Sequence, residues 1–254
     1  MVNMEVCANS LRSALAAQEG GAVRVELCDN LHEGGTTPSY AQIAMAKRMV
    51  DIEVYPLIRP RGGDFLYTDL EFELMKEDIK MCRDLKCEGV VFGILTPKGF
   101  IDEKRCSELL ALAGDMKVTF NRAFDRCIDL FDCMETIIEL GFSRILSSGG
   151  QLTADRGAFE LARLIEQAEG RISIMPGSGI TIDNIEKVIR ITKATEFHAS
   201  SRWAKRSEME FRSKNLKMED GLHELDYELT NSDDVKLLIH LANNPRQQVM
   251  PNVD

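Results

Sequence analysis

The sequence predicts a closed (β/α)8 barrel, a TIM barrel, on three observations. Eight short strand-like runs alternate with eight helical stretches, polar or charged residues follow most of the runs, and 254 residues suit one barrel of this kind.

The elements follow one another regularly. Met4–Cys7 and Arg24–Cys28 read as the first two strands, with the helical stretch Ser10–Gln18 between them. Ser39–Met49 then leads to a third strand over Ile52–Ile58, rich in Ile, Val and Tyr, and Leu70–Leu85 leads to a fourth over Gly89–Ile94. Asp102–Ala113 precedes strand Lys117–Phe120, Leu130–Leu140 precedes Arg144–Leu146, and Ala158–Ala168 precedes Ile172–Met175. Ile182–Ile191 precedes the eighth strand, Glu196–His198, and a last helix is expected near Asp233–Leu241. Strand and helix in strict alternation imply right-handed crossovers and a parallel sheet. An open doubly wound sheet is the alternative, and it requires a reversal of strand order. No Pro/Gly/Ser-rich linker divides the chain, so one domain over residues 1–254 is expected. It carries a long polar excursion from Ser200 to Ser232 and a flexible tail over 244–254.

The first two strands repeat one pattern, Met4-Glu5-Val6-Cys7 and Val25-Glu26-Leu27-Cys28. Side chains alternate between the faces of a strand, so Glu5 and Cys7 share a face, as do Glu26 and Cys28. Neighbouring strands lie about 4.7–4.9 Å apart, which brings the thiols within reach of one soft metal ion or of each other. The plain reading of both cysteines is as small buried hydrophobes. The glutamates weigh against it, because a carboxylate on a buried strand is costly without a partner.

Composition narrows the function. A formal net charge of −10 argues against a nucleic-acid binder or a membrane-surface protein, whose footprint is basic. No run approaches the ~20 apolar residues of a membrane span. The chain enters its first strand without a basic segment and apolar signal core, so a cytoplasmic protein is expected. Seven cysteines, an odd number spread over strands and helices, suit a reducing compartment better than a disulfide framework.

In a barrel the active site gathers at the C-terminal ends of the strands. The residues there are Glu5 and Cys7, Glu26 and Cys28, Arg59, Asn121 with Arg122 and Asp125, Ser147 and Ser148, Gly177-Ser178-Gly179, and His198 with Ser200. Three parts of this rim suit an anion. Gly177-Ser178-Gly179 lies between the seventh strand and a helix, where backbone N–H groups can approach a phosphate or carboxylate. Arg59 and Arg61 sit in a glycine-bearing loop after the third strand, Arg122 follows the fifth, and guanidinium forks bind oxyanions at two points. The competing role for these arginines is ion pairing with Glu5, Glu26, Asp64 or Asp125.

The strings MEVCANS (4–10), RVELCDNLHEGGTTPS (24–39), IRPRGGDFLYT (58–68), VTFNRAFD (118–125), IMPGSGI (174–180) and EFHASS (196–201) resemble the CutC family, the copper homeostasis proteins. The resemblance implies a cytoplasmic (β/α)8 barrel, a homo-oligomer (dimer or tetramer), and Cu(I) bound through the cysteines matching Cys7 and Cys28. One position departs from the family string, which usually carries His where this chain has Asn121. Asn cannot shuttle protons as imidazole does. His198 is then the remaining strand-end imidazole.

Two functions stay open on the sequence. As a copper protein, the chain uses Cys7 and Cys28, since thiolates suit Cu(I) and carboxylates suit harder cations. As an enzyme, it acts on a small phosphorylated or carboxylated substrate, in a lyase, isomerase or hydrolase reaction. Arg59, Arg61, Arg122, Gly177, Ser178, Gly179 and Ser200 then hold the anion, while Glu5, Glu26, Asp125 or His198 moves protons. No organic cofactor is indicated.

Overall fold

The computed structural model describes residues 1–211 and 226–244. Each expected strand and helix forms. The elements are β1 (Asn3–Ala8), α1 (Leu11–Glu19), β2 (Arg24–Leu27), α2 (Tyr40–Met49), β3 (Glu53–Pro56), α3 (Asp69–Asp84), β4 (Gly89–Phe92) and α4 (Glu103–Ala113). There follow β5 (Lys117–Phe120), α5 (Leu130–Leu140), β6 (Arg144–Ser147), α6 (Ala158–Ala168), β7 (Ser173–Pro176), α7 (Ile185–Thr192) and β8 (Glu196–Ala199). The excursion after β8 carries an antiparallel pair, β9 (Arg202–Lys205) with β10 (Tyr227–Thr230), ahead of α8 (Ser232–Asn243). The tail expected over 244–254 lies, from residue 245 on, outside the described residues.

The strands form two parallel half-barrels, in the orders β3-β2-β1-β8 and β4-β5-β6-β7. Leu57 bridges to Val91, and Ile58 donates its N–H to the Val91 carbonyl at 2.8 Å, which joins β3 to β4. On the other side β7 packs along β8 without a ladder among the described residues. Gly177 sits in that seam. A Cβ there would lie 2.4 Å from Leu146 Cδ1 and 3.1 Å from His198 Cβ, so only glycine lets β7 come this close to the imidazole. Gly177→Ala is expected to cost about 1–3 kcal/mol by overpacking, read from denaturant melts. A neutral substitution would show that the seam has slack.

The helices pack outside the barrel on the main core, and their starts are set by side-chain caps. Ser10 accepts from Ser13 N, Asp102 from Arg105 N, and Thr68 forms a reciprocal capping box with Glu71. α7 starts three residues later than the periodicity suggests. Thr181 N–H donates to Asn184 Oδ1 and Asn184 N–H to the Thr181 carbonyl, so a turn stands between the glycine loop and the helix. The loop at Gly177–Gly179 is therefore not the N-terminus of a helix.

The lower barrel interior is charged. Arg24 donates from Nε to Glu5, and from Nη2 to Glu196 Oε2 at 2.6 Å. Arg144 reaches the same Glu196 at 2.6 and 3.0 Å, and both guanidiniums lie against the Tyr55 ring. Buried charges survive only when paired in this way.

Candidate functional site

The strand register decides which residues meet. Because Glu5 pairs with Arg24 and Cys7 with Glu26, the two Glu-x-Cys repeats are staggered by two residues rather than aligned. On the other side of β1, Glu5 pairs with His198. Each glutamate thus acquires a different neighbour. Glu5 is drawn down to Arg24, and its Oε1 is buried without a hydrogen-bond partner, 3.7 Å from His198 Nε2. Glu26 reaches across to His198, with Oε2 at 3.0 Å from Nε2.

Cys7, Glu26 and His198 form one buried cluster, their ligand-capable atoms all within 4.8 Å of one another. Cys28 lies directly behind it, with its Sγ 3.6 Å from Cys7 Sγ. Cys28 follows the Ala8–Leu27 pair and so stands diagonally to Cys7. Both cysteines are free thiols whose sulfurs converge.

The proton inventory follows from these contacts. Cys7 is pushed well above the usual thiol range, first by the Cys28 thiol and then by burial, so it rests as a thiol. Burial pulls His198 down, but its hydrogen bonds to Cys7 and Glu26 and the Glu26 charge outweigh this and hold it well above the usual imidazole value. Burial also pushes Glu26 up, and the His198 hydrogen bond and charge reverse that, leaving it below the usual carboxylate range. The pair is therefore imidazolium and carboxylate at neutral pH. Its stabilising contribution is complete between the ordinary carboxylate and imidazole values, about 4.5 and 6.5; it is lost as pH rises through the elevated His198 value and as pH falls through the depressed Glu26 value. In NMR titrations the His198 ring is expected to be charged at about pH 7.5, and Glu26→Gln should bring its titration down toward about 6.5. A ring already neutral at that pH in the unmodified protein would contradict the pairing.

Above the cluster opens a cavity of about 640 Å³. Of the residues expected at the rim, Cys7, Glu26, Arg59, Asn121, Arg122, Ser178, Gly179, Ser200 and His198 line it. The others do not. Glu5 and Cys28 lie beneath its floor, and Gly177 stands behind His198. Arg61 is turned away to Asp64 and Glu71, at 3.0 and 2.6 Å. Asp125, expected as an acid or base, accepts from Ser147 Oγ at 2.6 Å, Gly150 N at 2.9 Å and Ser148 N at 3.0 Å, and so anchors the loop after β6.

Even among the lining arginines, Arg59 is mostly occupied. Its Nη1 donates to the Glu33 and Gly35 carbonyls, both at 2.7 Å, its Nη2 to Gly63 at 2.8 Å, and the guanidinium stacks on Phe65. It locks the loops after β2 and β3 together. Ser178 Oγ likewise donates to the Leu152 carbonyl at 3.0 Å, and Ser200 Oγ accepts from Arg202 at 3.2 Å. Arg126 also lines the cavity and was missed in the sequence, where it is one arginine among many.

Comparison with known proteins places this arrangement. The model of the CutC family matches residues 2–203, from β1 into β9. The chain belongs to the CutC family. A family protein CutC of Chromobacterium violaceum is 49% identical over 236 residues, covering 92% of this chain and 96% of that protein. The human copper homeostasis protein cutC homolog is 46% identical over 234 residues, covering 92% of this chain and 86% of that one. A crystal structure of a copper homeostasis protein CutC from Streptococcus agalactiae superposes with a TM-score of 0.76 at 36% identity, covering 79% of this chain and 99% of that chain. A phosphoribosylanthranilate isomerase from Thermotoga maritima, with a TM-score of 0.57 at 14% identity, shares the barrel alone.

Proposed function

We propose that this CutC-family protein binds Cu(I) through Cys7 and Cys28 and serves copper homeostasis in the cytoplasm. The observation that carries the reading is the 3.6 Å contact between two buried sulfurs at the foot of a cavity open to solvent. Thiolates are soft donors suited to Cu(I), and no other side chain in the cluster competes well for it. His198 is held as an imidazolium by Glu26, and a carboxylate prefers harder cations. Two sulfurs make a low-coordinate site, which Cu(I) accepts and Zn(II), with its tetrahedral demand, does not. The names of the human and streptococcal relatives agree with this cargo.

Because Cys7 rests as a thiol, the ion must displace protons, and affinity should rise with pH. The test is anaerobic competition of the reduced protein against a Cu(I) chelator. One Cu(I) per chain, bound more tightly as pH is raised, is the expected result. Failure to compete at any pH would refute the reading. The accompanying reading, a homo-oligomer (dimer or tetramer), rests on the family resemblance and is checked by sedimentation.

A second reading has its own support. The cavity of about 640 Å³ falls in the ~300–1,000 Å³ range of small-molecule sites, and its floor carries a charged acid–base pair. An ion alone needs neither. In this reading the protein is a barrel enzyme, with His198 as proton donor and Glu26 as the group that orients it.

A further inference from the structure

Unspent donors gather on one turn that neither the thiols nor the acid–base pair uses. Asn121 caps the 3-10 turn Arg122–Arg126, its Oδ1 accepting from Ala123 N at 3.0 Å. A Cβ on Gly93 would fall 2.4 Å from that oxygen, so the carboxamide is clamped from behind. With Oδ1 assigned by its donor, Nδ2 is the remaining end. Asn121 is only 4% exposed, yet it lines the cavity, and its Nδ2 has no acceptor among the described residues.

The two arginines of the turn add charge beside it. Arg122 is fixed by Nε to Asp125 Oδ2 and by Nη2 to Ser148 Oγ, both at 2.8 Å, which leaves Nη1 unpartnered among the described residues. Arg126 lines the cavity with no ion pair or side-chain hydrogen bond among them. Asp125 pairs with Arg122 and spends its other acceptor sites on Ser147, Ser148 and Gly150, so Arg126 is the guanidinium of the turn left without a carboxylate among the described residues. The carboxylates elsewhere on the cavity wall are already engaged. Glu26 holds His198, Glu33 accepts from Asn30, Glu228 pairs with Arg202, and Asp234 accepts from Trp203.

We propose that the turn after β5 is an oxyanion site, in which Asn121 Nδ2, Arg122 Nη1 and the Arg126 guanidinium hold the phosphate or carboxylate group of a small molecule lying in the cavity. Guanidiniums and amide donors are the groups that recognise such heads, and here the Asn121 amide is buried and the Arg122 guanidinium is oriented before any ligand arrives. The assignment goes beyond copper binding and uses none of its residues. It also moves the anion away from Arg61, which does not reach the cavity, and from Arg59, whose two terminal nitrogens are held by carbonyls.

Calorimetric titration of the reduced, copper-free full chain with inorganic phosphate and with acetate, at constant ionic strength, tests it. At least one of the two should bind. Preference for phosphate points to a phosphate ester, and preference for acetate to a carboxylate. Arg126→Gln, which removes an exposed and unpaired group, should melt at the temperature of the unmodified protein yet weaken binding by about tenfold or more. Asn121→Asp keeps the acceptor for Ala123 N but turns the donor into a charge, and should abolish binding. Because the titration uses copper-free protein, failure of the copper reading remains separate from failure of this one. Absence of binding by either anion, or equal affinity in the unmodified protein, Arg126→Gln and Asn121→Asp, overturns the assignment.

Discussion

Replacing either Cys7 or Cys28 by Ser is expected to lower Cu(I) affinity by more than about 100-fold, because loss of outer partners alone typically costs 10–100-fold at metal sites. The two variants should behave alike despite their different surroundings. Cys7 reaches the cavity and touches His198, whereas Cys28 is fully buried against Tyr55, Leu57 and Val91. If Cys28 were only a packing residue, serine there would disturb stability and leave the metal in place. A copper titration with each variant, beside a denaturant melt, separates these outcomes. Unchanged affinity in Cys28→Ser would reduce the site to a single sulfur and remove the reason for choosing Cu(I).

A second large effect is expected beneath the cavity floor, at Arg24. This guanidinium is the only group that pairs with Glu5 at short range among the described residues, and it also contacts Glu196. Arg24→Met leaves the buried Glu5 carboxylate with only the His198 ring, 3.7 Å away, and should cost about 3–5 kcal/mol in denaturant unfolding. Combining it with Glu5→Gln should restore part of the loss, since an apolar and a neutral residue leave no stranded charge. A loss below about 1 kcal/mol, the scale of an exposed pair, would mean that water reaches the barrel floor. The expectation also divides the two repeated glutamates. Glu5 serves the barrel, while Glu26 serves the site, so Glu26→Gln should alter the His198 titration far more than the unfolding free energy.

The eight strands and helices were legible because each carries its own period, and the caps of α1 and α4 sit at the edges of the expected helices. Cys7, Glu26 and His198 were legible for the same local reason, as polar groups near strand ends. The stagger of the first two strands was not. Two identical Glu-x-Cys strings suggest alignment, but a closed barrel needs sheared strands, and that offset is a property of closure rather than of any one strand. The arginine loop misled in another way. The sequence offers Arg59 and Arg61 either an anion or a carboxylate partner such as Asp64, which Arg61 does take. The carbonyls of Glu33, Gly35, Gly63 and Leu66 that also hold them become acceptors only when the loops fold back. Asp125 is consumed similarly by backbone N–H groups of the loop after β6. Arg126 carried no signal, since it becomes notable only when the turn presents it to the cavity and nothing described pairs with it.

X-ray absorption at the copper edge, on the reduced protein loaded with one Cu(I) per chain, tests the thiol pair most directly. Two sulfur neighbours, replaced in the Cys7→Ser, Cys28→Ser double variant by lost metal or by lighter atoms, is the predicted result. A first shell of nitrogen and oxygen alone, or a sulfur shell that persists in the double variant, would contradict it.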